Sequence, residues 1–337
     1  MTRDILSQMN RRDFLKASAA AAAAMTALSK PLAAGRSTAP AGSSTVVLVK
    51  TADRALGVKE VFRLLGGPSP QGKSALIKPN FNTADAAPGS THADTLRQIV
   101  LELKARGAGK IALGESSGPP QTKKVFEDKG IPALARELGF DVINFDELGP
   151  EGWIPFNPPG NHWQSGFSLP KAVVESEYLV STCCLKTHGF GGHFSMSLKL
   201  AVGLTPKSIR RELHSKRDTD MRKMITELNQ GYAPKIILMD GIEAFVDGGP
   251  STGKKVDAGI FIGGTDRVAV DAVGVAVLKE LGSNAAIMSR KVFEQDQIAR
   301  AVEIGLGVAG PAQIEIVSPD AAGRAYADKI RAILKEG

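Results

Sequence analysis

Short apolar runs rich in β-branched residues alternate with amphipathic helical segments from residue 45 to the C-terminus. This alternation is typical of a mostly parallel sheet with helices on both faces, so the sequence predicts an α/β fold. The predicted strands cover residues 45–50, 74–80, 110–118, 141–145, 176–186, 235–240, 258–264 and 313–318. The predicted helices cover residues 57–67, 91–107 with a threonine cap, 129–139, 194–203, 206–230, 267–281, 290–304 and 320–335.

An irregular, proline-rich stretch interrupts this pattern at residues 151–172. It has the composition of an insertion or of a crossover between domains. Two arrangements therefore stay open for residues 45–337. One is a single α/β domain, and the other is a pair of α/β lobes, 45–150 and 173–337, with a site between them.

Residues 1–34 have the pattern of a twin-arginine signal peptide. Arg11 and Arg12 precede Phe14, an alanine-rich run follows, and small residues offer a cleavage site. The alternative is a basic cytoplasmic helix. The apolar run is too short to span a bilayer, and no other run approaches the length that a stable membrane span needs. A linker rich in Ser, Thr, Pro and Gly covers residues 35–44.

Export by the twin-arginine route would place the protein in the periplasm or elsewhere outside the cytoplasm, after contact with the translocase. That route carries proteins that are already folded, often around a cofactor, so it favours a cofactor-containing protein without requiring one.

The formal net charge is +7, of which residues 1–34 hold +3 and the remainder +4. The basic residues after the signal segment are dispersed and not interleaved with aromatic residues, which argues against nucleic-acid binding. One basic cluster covers residues 207–217. It is typical of a surface that attracts anions and equally of a solvated helix face.

The 337-residue chain has two cysteines, Cys183 and Cys184, which are adjacent. They cannot hold a four-thiolate iron–sulfur cluster. Neighbouring residues of a strand point to opposite faces, so we expect two small buried side chains at a strand end. A vicinal disulfide or a thiolate site for a soft metal is the alternative.

Polar side chains follow several of the predicted strands. In open α/β sheets ligands bind beyond the carboxyl ends of the strands, so this arrangement predicts a site there. The residues concerned are Lys78, Asn80, Asn82, Glu115, Ser116, Ser117, Lys186, Thr187, His188, Asp240, Thr265 and Asp266.

The densest of these stretches is CCLKTHGFGGHFSMSLKLAVGL, residues 183–204. Its glycines (Gly189, Gly191 and Gly192) would let the backbone approach an anion, although the stretch matches neither a P-loop nor GxGxxG. The helix predicted at 194–203 would point its N-terminus towards His188.

Several side chains near this stretch have two interpretations. His188 fits a general base or a metal ligand, and also a hydrogen-bonded loop histidine. His193 and His214 are candidate metal ligands, or a helix-start residue and an exposed residue. Lys199 is a cation in an apolar segment, so it either reaches solvent or is a functional amine.

The blocks IKPNFN, GESSG, the stretch 183–204, MDGIEAFVDGGPSTGK and GGTDRVAVDAVGVAVL resemble, in that order, the domain-of-unknown-function family 362 (DUF362). The resemblance covers nearly all of the chain after the linker. Many members carry additional cysteine motifs for iron–sulfur clusters. This sequence has none, so the resemblance does not imply such a cluster here.

A more remote similarity links KTHGFGG, Lys199 and His214 to the nickel-pincer lactate racemase family. It implies a proton-transfer base at His188, a nickel-pincer nucleotide bonded to Lys199, and a nickel ligand at His214. The sequence departs from that family in two places. FSMSL stands where the family has a serine-glycine-glycine run, and Glu115 stands in place of the family's other catalytic histidine.

We expect an exported enzyme, dependent on a metal or cofactor, that moves a proton or hydride on a small anionic or polyhydroxy substrate. The alternatives are a periplasmic protein that binds or delivers a metal or cofactor without turnover, and a structural domain. The predicted catalytic residues are His188, Glu115 and Lys186. The predicted cofactor-binding residues are Lys199, Lys78, Asn80, Gly189, Gly191, Gly192 and Asp240. The predicted metal ligands are His188, His193 and His214.

Overall fold

A mixed sheet of nine strands runs through the described part of the chain, which is residues 42–336 of a computed structural model. The predicted signal peptide, and all but the last three residues of the predicted linker, lie outside these residues. Among the helices of residues 42–336, none is both long and apolar enough to cross a membrane.

The chain forms eleven strands and eleven α-helices within these residues, joined by loops and short 3₁₀ segments. The strands are β1 Ser44–Lys50, β2 Ala75–Lys78, β3 Ile111–Glu115, β4 Asp141–Asn144, β5 Trp153–Phe156, β6 Phe167–Pro170, β7 Tyr178–His188, β8 His193–Phe194, β9 Ile236–Gly248, β10 Gly253–Gly264 and β11 Ile314–Val317. The helices are α1 Arg54–Leu65, α2 Ala93–Ala105, α3 Thr122–Asp128, α4 Ile131–Leu138, α5 Lys171–Val174, α6 Arg210–Ser215, α7 Met221–Glu227, α8 Arg267–Glu280, α9 Ala285–Met288, α10 Asp296–Glu303 and α11 Ala321–Glu336.

The strand order of the sheet is β11-β1-β10-β9-β7-β2-β3-β4, and β8 pairs with β7. Along this order β10 runs against its two neighbours, and every other adjacent pair is parallel. This confirms the predicted α/β fold with a mostly parallel sheet. Strands from both sides of residues 151–172 enter the same sheet, so the segments 45–150 and 173–337 share it.

Alternation along the strands supplies both faces of the sheet with apolar side chains. In β7, Val180 packs with α1 and α2 on one face, while Cys183 and Leu185 pack with α8 on the other. Both cysteines are free and buried, as the sequence predicted. Burial raises the pKa of both thiols, that of Cys184 to about 12, so they remain protonated.

The predicted helix over 194–203 is wrong. β8 forms there instead, followed by a 3₁₀ segment at Leu198–Leu204. The apolar spacing that indicated a helix is real, because Phe194 and Leu198 are both buried, but two different local structures produce it. The cap of α2 is His92 rather than Thr91, since the His92 Nδ1 atom accepts the backbone N–H of Asp94.

Two other regions differ from the sequence prediction. Residues 151–172 contain β5 and β6, which pair as an antiparallel ribbon, and the helix α5 begins at their end. β9 and β10 are both longer than predicted, because they continue as an antiparallel pair beyond the body of the sheet.

Candidate functional site

The carboxyl ends of β2, β3 and β7 meet at one edge of the sheet, because these strands are adjacent and parallel. In the sheet, β3 lies beside β2 and β4 lies beside β3. The next strand to join the main sheet, β7, lies on the opposite side of β2. The strand order therefore reverses between β2 and β7. Ligands of open α/β sheets bind at such a switch point.

A cavity of about 580 Å³ opens at this edge. Seven basic side chains and one acidic side chain, Glu115, line it. Phe190, Leu200 and Val202 provide part of its apolar surface. The basic side chains are Lys78, Lys186, Lys199, Lys207, Arg210, Arg211 and Arg217. This excess of positive charge suits an anionic ligand.

Lys78 and Glu115 form a buried ion pair at the ends of β2 and β3. The Lys78 Nζ atom lies 2.6 Å from Glu115 Oε2, and both side chains are 2% exposed. The same carboxylate accepts the backbone N–H groups of Phe81 and Ser116, each at 2.9 Å. Burial lowers the pKa of Lys78, and the charge of Glu115 opposes that effect. Glu115 is therefore occupied as the counter-charge of Lys78.

Lys186 lies near the end of β7 and is fully buried. Its Nζ atom donates to Asn80 Oδ1 at 2.8 Å and to the carbonyls of Gly89 and Pro250 at 2.6 and 3.2 Å. No carboxylate within residues 42–336 lies close enough to pair with it. Burial lowers its pKa. Lys186 thus joins β7 to two loops, residues 79–92 and 249–252, and adds a positive charge without a carboxylate partner beneath the cavity.

His188 is the last residue of β7 and begins a tight hairpin into β8. The backbone N–H groups of Phe190 and Gly192 both donate to its Nδ1 atom, at 3.2 and 3.3 Å. Because Nδ1 accepts, the proton of the neutral ring lies on Nε2. Burial, followed by the charges of Lys199 and Lys186, lowers the pKa of His188 to about 2. The ring is therefore a neutral hydrogen-bond donor at physiological pH.

Three N–H groups of the glycine turn bind within the chain, whereas the sequence suggested that the turn would present its N–H groups to an anion. Two of them bind His188, and the Gly189 N–H donates to the Gly249 carbonyl at 3.2 Å. The predicted helix N-terminus beside His188 does not exist, because β8 follows the turn.

Lys199 lies on the 3₁₀ segment Leu198–Leu204, and its side chain is partly exposed in the cavity. Its amine has no hydrogen-bond acceptor or ion-pair partner among residues 42–336. Burial, together with the charges of Lys186 and Arg210, lowers its pKa to about 8. About a tenth of this amine is therefore uncharged at pH 7, and about half at pH 8.

Two glycines allow this segment to approach the strand ends. A Cβ atom on Gly192 would lie 2.9 Å from His188 Nδ1 and 3.2 Å from Lys199 Cε. A Cβ atom on Gly203 would lie 2.5 Å from Glu115 Oε1. The convergence of lysine, histidine and the buried ion pair therefore depends on the absence of side chains at residues 192 and 203.

The basic segment 207–217 covers the cavity from the side. Arg210 is buried and donates to the carbonyls of Ser117 at 2.6 Å and Thr205 at 2.7 Å, and burial lowers its pKa. Lys207 pairs with Asp146 at 2.8 Å. Arg211, His214 and Arg217 are exposed and line the cavity.

Several predicted site residues lie elsewhere. Asp240 accepts hydrogen bonds from Arg54 Nε at 2.7 Å and Thr95 Oγ1 at 2.9 Å, and it does not line the cavity. The reason is that β9 continues past it to Gly248, so residue 240 is not a strand end. Asp266 caps α8 by accepting two backbone N–H groups. The glycines at 189, 191 and 192 shape the turn without lining the cavity.

The three predicted metal ligands do not come together. His188 and His214 line the cavity, whereas His193 does not. Across residues 42–336, no three His, Cys, Asp or Glu side chains are grouped in a way that could hold a metal ion. The free amine of Lys199 fits the attachment point of a covalent group, but the donor set does not fit a metal ion held by side chains of residues 42–336 alone. No metal-dependent step follows from these residues.

Phe190 and Arg210 are among the residues of the site that were not singled out from the sequence. Phe190 lies between the turn glycines and lines the cavity, and Arg210 lies within the basic segment and packs beneath it. The signal for Arg210 was the charge cluster 207–217, which did not show which of its cations would be buried. Nothing in the sequence distinguished Phe190 from a core residue.

Residues 75–276 match the family described as Domain of unknown function (DUF362). This match spans more than half of the chain and includes all of the strand ends that form the cavity. The chain belongs to this family.

A second match identifies the N-terminal region. Residues 8–27 match the TAT (twin-arginine translocation) pathway signal sequence. The DUF362 chain is therefore exported across the cytoplasmic membrane by the twin-arginine translocase and acts outside the cytoplasm. This confirms the predicted localisation.

One curated relative of this DUF362 chain is the Thylakoid-associated protein sll1697 of Synechocystis sp. It is 24% identical over 214 residues, which are 62% of this chain and 64% of the relative. The match thus spans somewhat less than two thirds of the relative's length.

Two solved structures resemble the DUF362 chain more distantly. The lactate racemase apoprotein from Thermoanaerobacterium thermosaccharolyticum is 13% identical, with a TM-score of 0.44 over 84% of this chain and 85% of the other. A protein from Thermotoga maritima is 15% identical, with a TM-score of 0.39 over 55% of this chain and 49% of the other. Both TM-scores are too low for the likeness to say anything about substrate or chemistry.

Proposed function

We propose that this exported protein is an enzyme that moves a proton on a small anionic or polyhydroxy substrate, with Lys199 as the group that takes and returns the proton. The observation that carries the proposal is the position and the lowered pKa of the Lys199 amine. This amine faces the cavity without a partner in the described chain, and its pKa is lowered to about 8.

The anionic character of the substrate follows from the lining of the cavity. Lys186 is fixed by internal hydrogen bonds and has no carboxylate partner within residues 42–336, so it contributes a steady positive charge rather than a mobile ligand. The charge of Lys78 is balanced by Glu115. Arg211 and Arg217 are exposed and able to contact a carboxylate or phosphate directly. Clefts with one sign of charge concentrate ligands of the opposite sign.

Lys199 suits proton transfer because a general base works best when its pKa lies near the working pH. The neutral amine takes the proton of a substrate C–H bond, which leaves the electron pair on the substrate and a positive charge on Lys199. Return of the proton to the same or the opposite side regenerates the amine. The neighbouring charges of Lys186 and Arg210 favour the neutral form of the base before substrate binds.

His188 has the complementary role in this proposal. Its neutral ring carries a proton on Nε2, and that atom makes no hydrogen bond within residues 42–336. A neutral N–H donor stabilises negative charge that develops on a substrate oxygen without losing its own proton. This differs from the role of base that the sequence suggested, because Nδ1 is already bonded and the pKa is about 2.

The proposal is tested by exchange of substrate carbon-bound hydrogen in deuterated water. A panel of small carboxylates, phosphates and sugar acids is incubated with the mature protein, and deuterium incorporation is followed by NMR. We expect exchange with the wild type and at least a hundredfold loss in Lys199→Met. Lys124→Met, an exposed lysine on α3, is the matched control and should keep full activity. Equal exchange in wild type and Lys199→Met would overturn the proposal.

A binding or delivery protein without turnover is the second candidate. It is favoured by the engagement of Glu115 and Lys186, two of the predicted catalytic residues, in hydrogen bonds within the chain. Tight binding of an anion that depends on Lys199, with no deuterium exchange on any member of the panel, would establish this candidate instead of the enzyme.

A further inference from the structure

Phe190 is an exposed aromatic residue at the cavity. Its side chain is 59% exposed. The other large apolar side chains exposed within residues 42–336 are Leu56, Leu101, Val142 and Met288, and none of them lines the cavity. Phe190 is also the one Phe, Tyr or Trp in the lining, so its exposure concerns the site and not the general surface.

The turn that carries Phe190 is held from several sides. Its own N–H donates to His188 Nδ1 at 3.2 Å. The carbonyl of Gly191 accepts from Arg222 at 2.8 Å, and that of Gly192 accepts from Gln297 at 2.7 Å. A backbone fixed in this way holds the attachment point of the ring in place before any ligand arrives, which reduces the backbone entropy lost on binding.

The surroundings of the ring are suited to a flat partner. The His188 ring lies edge-on to it, with centroids 6.0 Å apart and an interplanar angle of 78°. Arg217 packs against the same turn, since a Cβ atom on Gly191 would lie 2.5 Å from its Cγ. Aromatic faces and guanidinium planes both stack on planar groups.

We propose that Phe190 is a stacking platform, and that the ligand of this cavity is an anion that carries a planar unsaturated ring. The acidic end would lie towards Lys186 and Lys199, and the ring would lie on Phe190. This inference rests on the anion-binding part of the proposed function and adds the chemical class of the ligand to it. Carboxylate and phosphate share the required charge, so both are included in the test.

Binding is measured by calorimetry on the mature protein with three phosphates: phenyl phosphate, cyclohexyl phosphate and inorganic phosphate. The first two match in charge and ring size and differ in planarity. We expect the wild type to bind phenyl phosphate about two- to twelvefold more tightly than cyclohexyl phosphate, as an aromatic pair adds about 0.5–1.5 kcal/mol beyond area burial. Phenylacetate and cyclohexylacetate form the carboxylate arm.

The variants Phe190→Leu and Phe190→Trp separate stacking from apolar contact. Phe190→Leu should lose the preference for the planar ring and bind inorganic phosphate within about twofold of the wild type. Phe190→Trp should keep the preference. Because the side chain is exposed, melting temperatures should be unchanged, and Leu101→Ala serves as a control for loss of an exposed apolar side chain.

The outcomes separate this inference from the proposed function. If all the anions bind but planar and non-planar rings bind equally, Phe190 is not a stacking platform, although the cavity does bind anions. The same conclusion follows if Phe190→Leu keeps the preference for planar rings. If none of the anions binds, the anion site and the platform both fall.

Discussion

Asp271, in the middle of α8, accepts the backbone N–H of Leu198 with its Oδ2 atom at 2.8 Å. Its Oδ1 atom accepts the N–H of Ser197 at the same distance. These are the first free N–H groups of the 3₁₀ segment that carries Lys199, and a side chain of another element satisfies them. A carboxylate buried in the apolar core therefore fixes the start of the segment that carries Lys199.

The first prediction concerns this carboxylate. Burial raises the pKa of Asp271 from 3.8 to about 7, although the two backbone hydrogen bonds and Arg267 oppose the effect, and Asp266 adds to it. Between these values the folded state holds a proton that the unfolded state has released. The free energy of unfolding should therefore fall as pH rises through this window, by up to about 1.4 kcal/mol per pH unit.

The free energy of unfolding of Asp271→Asn should lack this dependence on pH. The difference in unfolding free energy between Asp271→Asn and the wild type should therefore change by at least about 1 kcal/mol between pH 5 and pH 7, measured by denaturant unfolding. Asp296→Asn is the control. Burial would raise the pKa of Asp296, but Arg222 and Arg290 lower it below its ordinary value of 3.8. The stability that Asp296 contributes is therefore lost only as pH falls below that value. A constant difference for Asp271→Asn from pH 5 to pH 8 would contradict the prediction.

The second prediction concerns Gly192. In Gly192→Ala the new methyl group would press on the His188 ring and the Lys199 stem, so we expect at least a tenfold loss of anion binding or exchange activity. Stability should fall by about 1–3 kcal/mol, as for overpacking. Gly67→Ala is the matched control, because a Cβ atom there meets nothing within 4 Å. Similar effects of both substitutions would refute the steric explanation.

The third prediction concerns Lys199 and pH. Its pKa in the folded state is about 8, against an ordinary 10.5, so the folded state releases this proton first. The free energy of unfolding of the wild type should therefore rise relative to that of Lys199→Met between about pH 8 and pH 10.5. At pH 7 the methionine variant should be more stable by about 1–3 kcal/mol. Exchange activity of the wild type should rise with pH to a plateau above about 8; a pH-independent rate would count against Lys199 as the base.

The fourth prediction concerns the pair of Lys78 and Glu115. Glu115→Gln leaves a buried ammonium without its counter-charge, so it should lower the free energy of unfolding by about 3–5 kcal/mol. The double variant Lys78→Met with Glu115→Gln removes both charges and should be markedly more stable than Glu115→Gln alone. Denaturant midpoints of the three proteins measure this. A double variant less stable than the single one would show that the pair is not the dominant interaction.

The sequence predicted the strand ends well because apolar runs followed by polar residues report the edge of a parallel sheet directly. Lys78, Glu115, Lys186 and His188 all line one cavity for that reason. Asp240 has the same local pattern, but β9 continues as an antiparallel pair with β10. Whether a strand ends or continues depends on its partner, which lies elsewhere in the chain.

The segment from His193 to Leu204 was mispredicted for a related reason. Helical spacing of apolar residues does not reveal that the N–H groups of Ser197 and Leu198 are held by Asp271, which is more than seventy positions away. The roles of Glu115 and His188 were equally hidden. A free carboxylate and one that already accepts three hydrogen bonds have the same letter in the sequence.

The position of β1 has a consequence for how the protein reaches its destination. This strand is the first in the described chain. It nevertheless lies between β10 and β11, which are the last two strands described. Its two ladders cannot close until β10 and β11 have left the ribosome, and such distant pairings form slowly. The sheet is therefore complete only after β11 has been synthesised. Export by the twin-arginine route, which carries folded proteins, has to follow that step.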